Sequence, residues 1–189
     1  MARIGFVGLG NMGLPMAQNL VRAGHVVAGY DVVQRAVGRL SAAGGAAATS
    51  VAQACAGAET VITMLPAGEH VRAVYMDAEG VLASAAPGTL LIDSSTIDVA
   101  TARTVASAAQ ARGLDMIDAP VSGGVKRALD GTLAVMVGGE ADTIDRCMEL
   151  LGAMGSAIFR TGKLGSGHAM KALNNAVSAA GLEIGRAHV

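Results

Sequence analysis

Three groups of residues in this 189-residue chain have types and spacings suited to chemistry. The first is Gly8-Leu9-Gly10-Asn11-Met12-Gly13, a G-x-G-x-x-G run. Gly8 allows a tight turn off a strand, Gly10 lets the backbone approach a pyrophosphate, and Gly13 lets the following helix pack on the strand. The helix N-terminus then offers free N–H groups and a positive dipole end to an anion. A lone run of this kind is weak. Here an apolar strand precedes it, a helical pattern follows it, and Asp31 ends the next strand, placed to bond ribose hydroxyls and repel a 2′-phosphate. The alternative is a glycine-rich turn in some other α/β domain. The second group is Ser122-Gly123-Gly124, where a hydroxyl and two glycines make a compact concavity of N–H groups suited to a small carboxylate; an ordinary turn with an N-cap is the alternative. The third is Lys171 and Asn175, a lysine and an amide one turn apart on one helix face after a glycine-rich approach. A solvated surface lysine is the plain alternative.

These groups need elements to hold them. Strands are expected near Arg3–Val7, Val26–Tyr30, Thr60–Met64, Thr89–Ile92, Leu114–Ile117, Leu133–Val137 and Ala157–Thr161, with a short one at Ala46-Ala47-Ala48. Helical patterns lie over Gln34–Ala43, Gly68–Tyr75, Val99–Arg112 and Ala141–Met154, and another runs on from the lysine through Leu182. Such alternation implies βαβ units and a mostly parallel sheet covered on both faces. Ligands of such sheets sit at the carboxyl ends of the strands. That directs attention to Met64-Leu65-Pro66, where the proline delays the next helix so that the loop can cross a cofactor. It also directs attention to Asp93-Ser94-Ser95-Thr96, whose hydroxyls could contact a ligand or cap the following helix.

Composition narrows the class. Hydrophobic content is 52% with two Phe, two Tyr and no Trp, so Ala, Val, Leu, Ile and Met must build the core. A net charge of −1 without a basic block argues against nucleic acid and anionic membrane as partners. No apolar run reaches the ~18 residues of a membrane span. Cys55 and Cys147 stand far apart in apolar surroundings, read as buried thiols in a reducing compartment, the cytoplasm. His25, His70, His168 and His188 have no ligand spacing; His168 reads as structural, and no metal is assigned.

Taken together, GFVGLGNMGLPMA, TMLP, DSST, DAPVSGG with GTL, and GSGHAMKALNN resemble the β-hydroxyacid dehydrogenase family, which includes 3-hydroxyisobutyrate dehydrogenase and tartronate semialdehyde reductase. They occur in the family's order over nearly the whole chain. The resemblance implies a Rossmann-type, doubly wound domain over residues 1–162. Residues 163–189 would open the helix leading to an all-helical second domain. It also implies an NAD(P) cofactor and interconversion of a small 3-hydroxy acid with its semialdehyde. Asp31 favours NAD, while Arg35, shortly after that strand where many NADP-using relatives carry a basic residue, leaves NADP possible. Lys171 would be the acid/base and Asn175 would help position the substrate. Ser122, Gly123 and Gly124 would bind the substrate carboxylate, and Thr96 would meet the nicotinamide end. The full-length form is expected to be a homo-oligomer.

The end of the chain departs from that pattern. The chain stops inside the expected interdomain helix, so it is expected to be truncated. The polar stretch Glu183–Val189 is expected to be foreign to it. A truncated, catalytically inert dinucleotide-binding module is therefore the rival reading. A methyltransferase is a weaker one, because Phe6-Val7 stand where those proteins carry an acid.

Overall fold

The computed structural model describes the backbone of residues 1–186 and the side chains of residues 1–181. The polar stretch Glu183–Val189 thus falls where no side chain is described, and residues 187–189 lie outside the described residues altogether. The strands are β1 (Arg3–Val7), β2 (Val26–Tyr30), β3 (Ala46–Ala47), β4 (Thr60–Thr63), β5 (Leu90–Asp93), β6 (Asp115–Asp118), β7 (Val121–Ser122), β8 (Leu133–Gly138) and β9 (Gly155–Gly162). The helices are α1 (Gly13–Arg22), α2 (Gln34–Ala42), α3 (Val51–Cys55), α4 (Gly68–Met76), α5 (Val81–Ser84), α6 (Val99–Gln110), α7 (Gly124–Asp130), α8 (Ala141–Met154) and α9 (Ser166–Arg186).

One sheet carries the strands in the order β3-β2-β1-β4-β5-β6, all parallel. This is the doubly wound order that reverses between β1 and β4 and opens a crevice there. Beyond β6 the sheet changes character. β6 and β7 both pair antiparallel with β8, separated by Ala119-Pro120, and β9 runs parallel to β8 on its other side.

The burial pattern explains the apolar runs. In β4, Val61 and Ile62 point to opposite faces, yet both are fully buried, because helices cover both sides. One face joins Ile4, Phe6, Ile62, Ile92 and Ile117 to α1, α2 and α8; the other joins Val61, Leu91 and Met116 to α4, α5 and α6. With so few aromatics, close contact of small side chains carries the packing. Truncating one such core residue, Ile62→Ala for example, costs about 2–5 kcal/mol.

The expected elements are present, most within a residue or two of their limits; the lysine helix runs on past Leu182 to Arg186. The short helices α3, α5 and α7 and the two-residue β7 were not expected. Each spans at most two turns, too short for a hydrophobic period to declare itself.

Candidate functional site

The turn after β1 is built by close contact. Gly8 has φ +96°, and a Cβ there would lie 2.3 Å from the Met64 carbonyl oxygen; at Gly13 a Cβ would lie 1.9 Å from the Gly8 carbonyl oxygen. Gly10 is different. It is exposed, and a Cβ added to it would meet nothing within 4 Å. The open side of the turn is therefore at Gly10, where a ligand's backbone-hugging group would sit. Asn11 is exposed and Met12 half-buried beside it. Met12, the N-cap of α1, makes no side-chain capping bond, and the first turn holds no acid. The uncapped N–H groups and the helix dipole fit a pyrophosphate.

Asp31 closes the turn from the β2 side. Its Oδ2 accepts from the Leu9 N–H at 2.7 Å and its Oδ1 from the Val33 N–H at 2.8 Å. Charge-assisted bonds of this kind fix the carboxylate while leaving lone pairs for ribose hydroxyls. A cleft of about 390 Å³ lies in front of it, lined by Leu9, Gly10, Asn11 and Asp31 and by Arg35 and Arg39 of α2. Arg39 had gone unread in the sequence; it stands one turn beyond Arg35 on the same helix face.

At the ends of β4 and β5 the loops are cross-tied. Met64 continues β4 by donating to the Val7 carbonyl at 3.0 Å, and the Leu65 N–H donates to Ser95 Oγ at 2.9 Å, leaving Pro66 exposed. Ser95 Oγ in turn donates to Asp93 Oδ1 at 2.6 Å. None of the hydroxyls caps α6. That task falls to Asp98, which accepts from the Thr101 N–H at 2.8 Å, because the helix begins at Val99 and the hydroxyls lie too far upstream. The bonds to Thr101 hold the Asp98 carboxyl below its ordinary range. Thr96 is exposed just past β5, and Ser94 Oγ is buried without a partner.

The third region brings β6, β7 and α9 together. Ser122 is half-buried in β7; Gly123, at φ +133°, and Gly124 then open α7. Helix α9 starts at the end of β6, where Asp118 accepts from the Gly165 N–H at 2.7 Å and the His168 N–H at 2.9 Å. Burial of Asp118 outweighs these donors and raises its carboxyl above the usual range. Gly167 is required by proximity, since a Cβ there would sit 2.4 Å from the Met136 carbonyl oxygen of β8. The inward face of α9 then runs through His168 and Lys171, both buried, while Met170, Leu173 and Val177 are exposed. Lys171 is only 9% exposed, and desolvation lowers its pKa from the ordinary lysine value. Asn175 is exposed. Its neighbour Asn174, half-buried, donates from Nδ2 to Ser122 Oγ at 3.2 Å, a link that sequence spacing did not single out.

The structure thus gathers the lysine helix and the Ser122 loop, and sets the glycine turn with Asp31 at the other end of the same sheet edge. A signal for the missed acids did exist. Ile92-Asp93 and Ile117-Asp118 each place a carboxylate directly after an apolar strand residue, in register on neighbouring strands. Among the described residues no group of three or more His, Cys, Asp or Glu is arranged to hold a metal, and no helix is long and apolar enough to cross a membrane. Cys55 and Cys147 are buried and unpaired, their thiols pushed up by burial to about 11 and about 12.

Comparison with known proteins adds to this geometry. Residues 3–162 match the model of the NAD binding domain of 6-phosphogluconate dehydrogenase. The chain is 50% identical over 175 residues to the NAD-dependent L-serine dehydrogenase of Pseudomonas aeruginosa, covering 93% of this chain and 59% of that protein. It is 51% identical over 175 residues to 3-hydroxyisobutyrate dehydrogenase of the same organism, with the same coverage of 93% and 59%. Among solved structures, Mycobacterium tuberculosis 3-hydroxyisobutyrate dehydrogenase with L-serine superimposes with a TM-score of 0.91 at 51% identity, covering 95% of this chain and 60% of that one. The chain spans about 60% of the length of the relatives it matches.

Proposed function

We propose that this chain, which belongs to the family of the NAD binding domain of 6-phosphogluconate dehydrogenase, is the cofactor-binding and acid/base portion of an oxidoreductase acting on small 3-hydroxy acids. The observation that carries the reading is Lys171, a buried amine with its pKa lowered by desolvation, on the helix that contacts Ser122 through Asn174. Lysines are rarely buried without a task, and a lowered pKa makes the neutral amine available as a base near the working pH.

In the oxidising direction the neutral Lys171 amine takes the proton from the hydroxyl oxygen while the carbon bearing that hydroxyl loses hydride; in reduction the ammonium returns the proton to the oxygen. Bound NAD supplies the two-electron acceptor. The Ser122 hydroxyl and the backbone N–H groups of Gly123 and Gly124 hold the carboxylate, Asn175 assists in placing the substrate, and Thr96 borders the nicotinamide end. Met64, Leu65 and Pro66 pass over the cofactor between the two sites. NAD is favoured over NADP because Asp31 would repel a 2′-phosphate, although Arg35 and Arg39 line the same cleft. Candidate substrates are 3-hydroxyisobutyrate and L-serine. Both are 3-hydroxy acids, and both occur in the names of relatives about 50% identical to this chain.

The second reading, a dinucleotide-binding module without turnover, draws on the exposed apolar row Met170, Leu173 and Val177 beside Lys171. Titrating the 189-residue chain with NADH and NADPH, then assaying NADH formation with L-serine and 3-hydroxyisobutyrate, separates the two. Tighter NADH binding with turnover supports the oxidoreductase. Saturable binding with no turnover leaves the binding module, and no binding by a folded chain overturns both.

A further inference from the structure

On the buried side of the lysine helix lies a pair, one member on the helix and one on β5, that the proposed reaction does not use. Asp93 and His168 have side chains with no exposure at all, and Asp93 Oδ2 faces His168 Nε2 at 3.5 Å. The two oxygens of Asp93 are treated unequally. Oδ1 accepts from Thr63 Oγ1 at 2.8 Å, Ser95 Oγ at 2.6 Å and the Ser95 N–H at 3.2 Å. Oδ2 has no hydrogen bond, and it faces the imidazole. A buried carboxylate oxygen left unmatched is costly, so a donor beside it is expected. His168 can supply one from Nε2, and no other bond competes for that nitrogen.

The connections of Asp93 reach both halves of the site. Ser95, held by Asp93, accepts from the Leu65 N–H of the loop after β4. Thr63, also held by Asp93, bonds the fully buried Tyr75 hydroxyl at 3.0 Å. His168 stands three residues before Lys171, on the same buried face of α9. Asp118 fixes where α9 begins, through backbone N–H groups, and the Asn174–Ser122 bond holds the helix further along. A buried side-chain contact between those two points, one turn from Lys171, bears on the rotation of the helix at the lysine.

We propose that Asp93 and His168 form the positioning pair for Lys171: the Nε2–H of His168, aimed at Asp93 Oδ2, fixes the rotation of α9 and so aligns the lysine with the 64–66 loop tied to the same carboxylate. His168 is in this view a positioning residue, touching neither substrate nor cofactor. The proposal rests on Lys171 being the acid/base, but its test does not need turnover.

The first measurement is the tautomer of His168 in the wild-type chain, read from ¹⁵N chemical shifts of its ring nitrogens. A proton on Nε2 is expected; a bare Nε2 overturns the proposal. The second follows the Cε–Hε signals of the three lysines, Lys126, Lys163 and Lys171, against pH in the wild type, His168→Gln and His168→Leu. Lys171 is expected to titrate below the ordinary lysine value in the wild type and in His168→Gln, which keeps an N–H donor at similar reach, and to move up from its wild-type titration in a folded His168→Leu. An unchanged Lys171 titration in folded His168→Leu overturns the proposal. If His168→Leu does not fold, His168→Gln decides: a Lys171 titration moved up from its wild-type position overturns it. A chain that passes both tests yet turns over no 3-hydroxy acid would leave the pair in place and refute the dehydrogenase reading alone.

Discussion

Helices α1 and α9 both begin at the carboxyl edge of the same sheet, and the two N-termini are finished in opposite ways. The start of α1 carries no side-chain cap and no acid in its first turn, and Gly10 beside it opens on empty space. The start of α9 is already filled, because Asp118 accepts from the Gly165 and His168 N–H groups. A helix N-terminus carries roughly half a positive charge and several unpaired donors, so one left bare is a place for a ligand anion. One neutralised from within the protein is an anchor, and what it offers is the side chain further along. Under the proposed function, the first would present backbone to a phosphate group and the second would present Lys171.

The largest expected effect breaks the second helix's role. Lys171→Ala is expected to lower turnover of a 3-hydroxy acid by about 10²–10⁴, the usual worth of positioned acid–base catalysis, while the NADH dissociation constant changes little. Steady-state kinetics beside a fluorescence titration check it. Turnover within a few-fold of the wild type would remove Lys171 from the acid/base role.

Two glycines three residues apart sharpen the first helix's role. Gly13→Ala places a Cβ against the Gly8 carbonyl and is expected to cost about 1–3 kcal/mol of stability as well as NADH binding. Gly10→Ala meets no protein atom and is expected to stay within roughly 0.5 kcal/mol of the wild type in a melt, yet to bind NADH more weakly. Equal behaviour of the two variants would mean that Gly10 does not face the dinucleotide.

Asp118→Ala tests the anchored end. It leaves two buried N–H groups without an acceptor, so a loss of about 1–3 kcal/mol is expected. For a domain of this size that is roughly 2–4 °C of melting temperature per kcal/mol. NADH affinity should not follow, since the bare helix is untouched. A parallel loss of NADH affinity would show that the two ends are coupled.

The smallest effect concerns pH. Lys171 has its folded-state pKa lowered below that of the unfolded chain by burial. Below both values the charged amine is held in the fold at a cost. That cost is relieved as pH rises from the folded value toward the unfolded one, so stability gains over that window. Lys171→Met is therefore expected to melt above the wild type at neutral pH, with the gap narrowing as pH becomes alkaline. Melts across that range check it, and a gap that widens would contradict the lowered pKa.

Much of this was written in the chain order alone. The turn at Gly8–Gly13, the strand–helix alternation and the acid at Asp31 depend on neighbours within a few tens of residues, through glycine dihedrals and the 2.0 and 3.6 residue periods. The lysine helix was legible for the same reason. What the chain order did not supply was the antiparallel turn-back of β8, with the Ala119-Pro120 break opposite it, nor which asparagine faces inward. The Asn174–Ser122 bond spans 52 residues, and the Asp118 bonds to α9 span 47 and 50. Such partners are chosen by sheet register and by the rotation of α9, which no local period encodes. Asp93 likewise read as the start of a hydroxyl-rich loop. Only the folded sheet, by burying it against His168, made it the shared support of two loops and a helix.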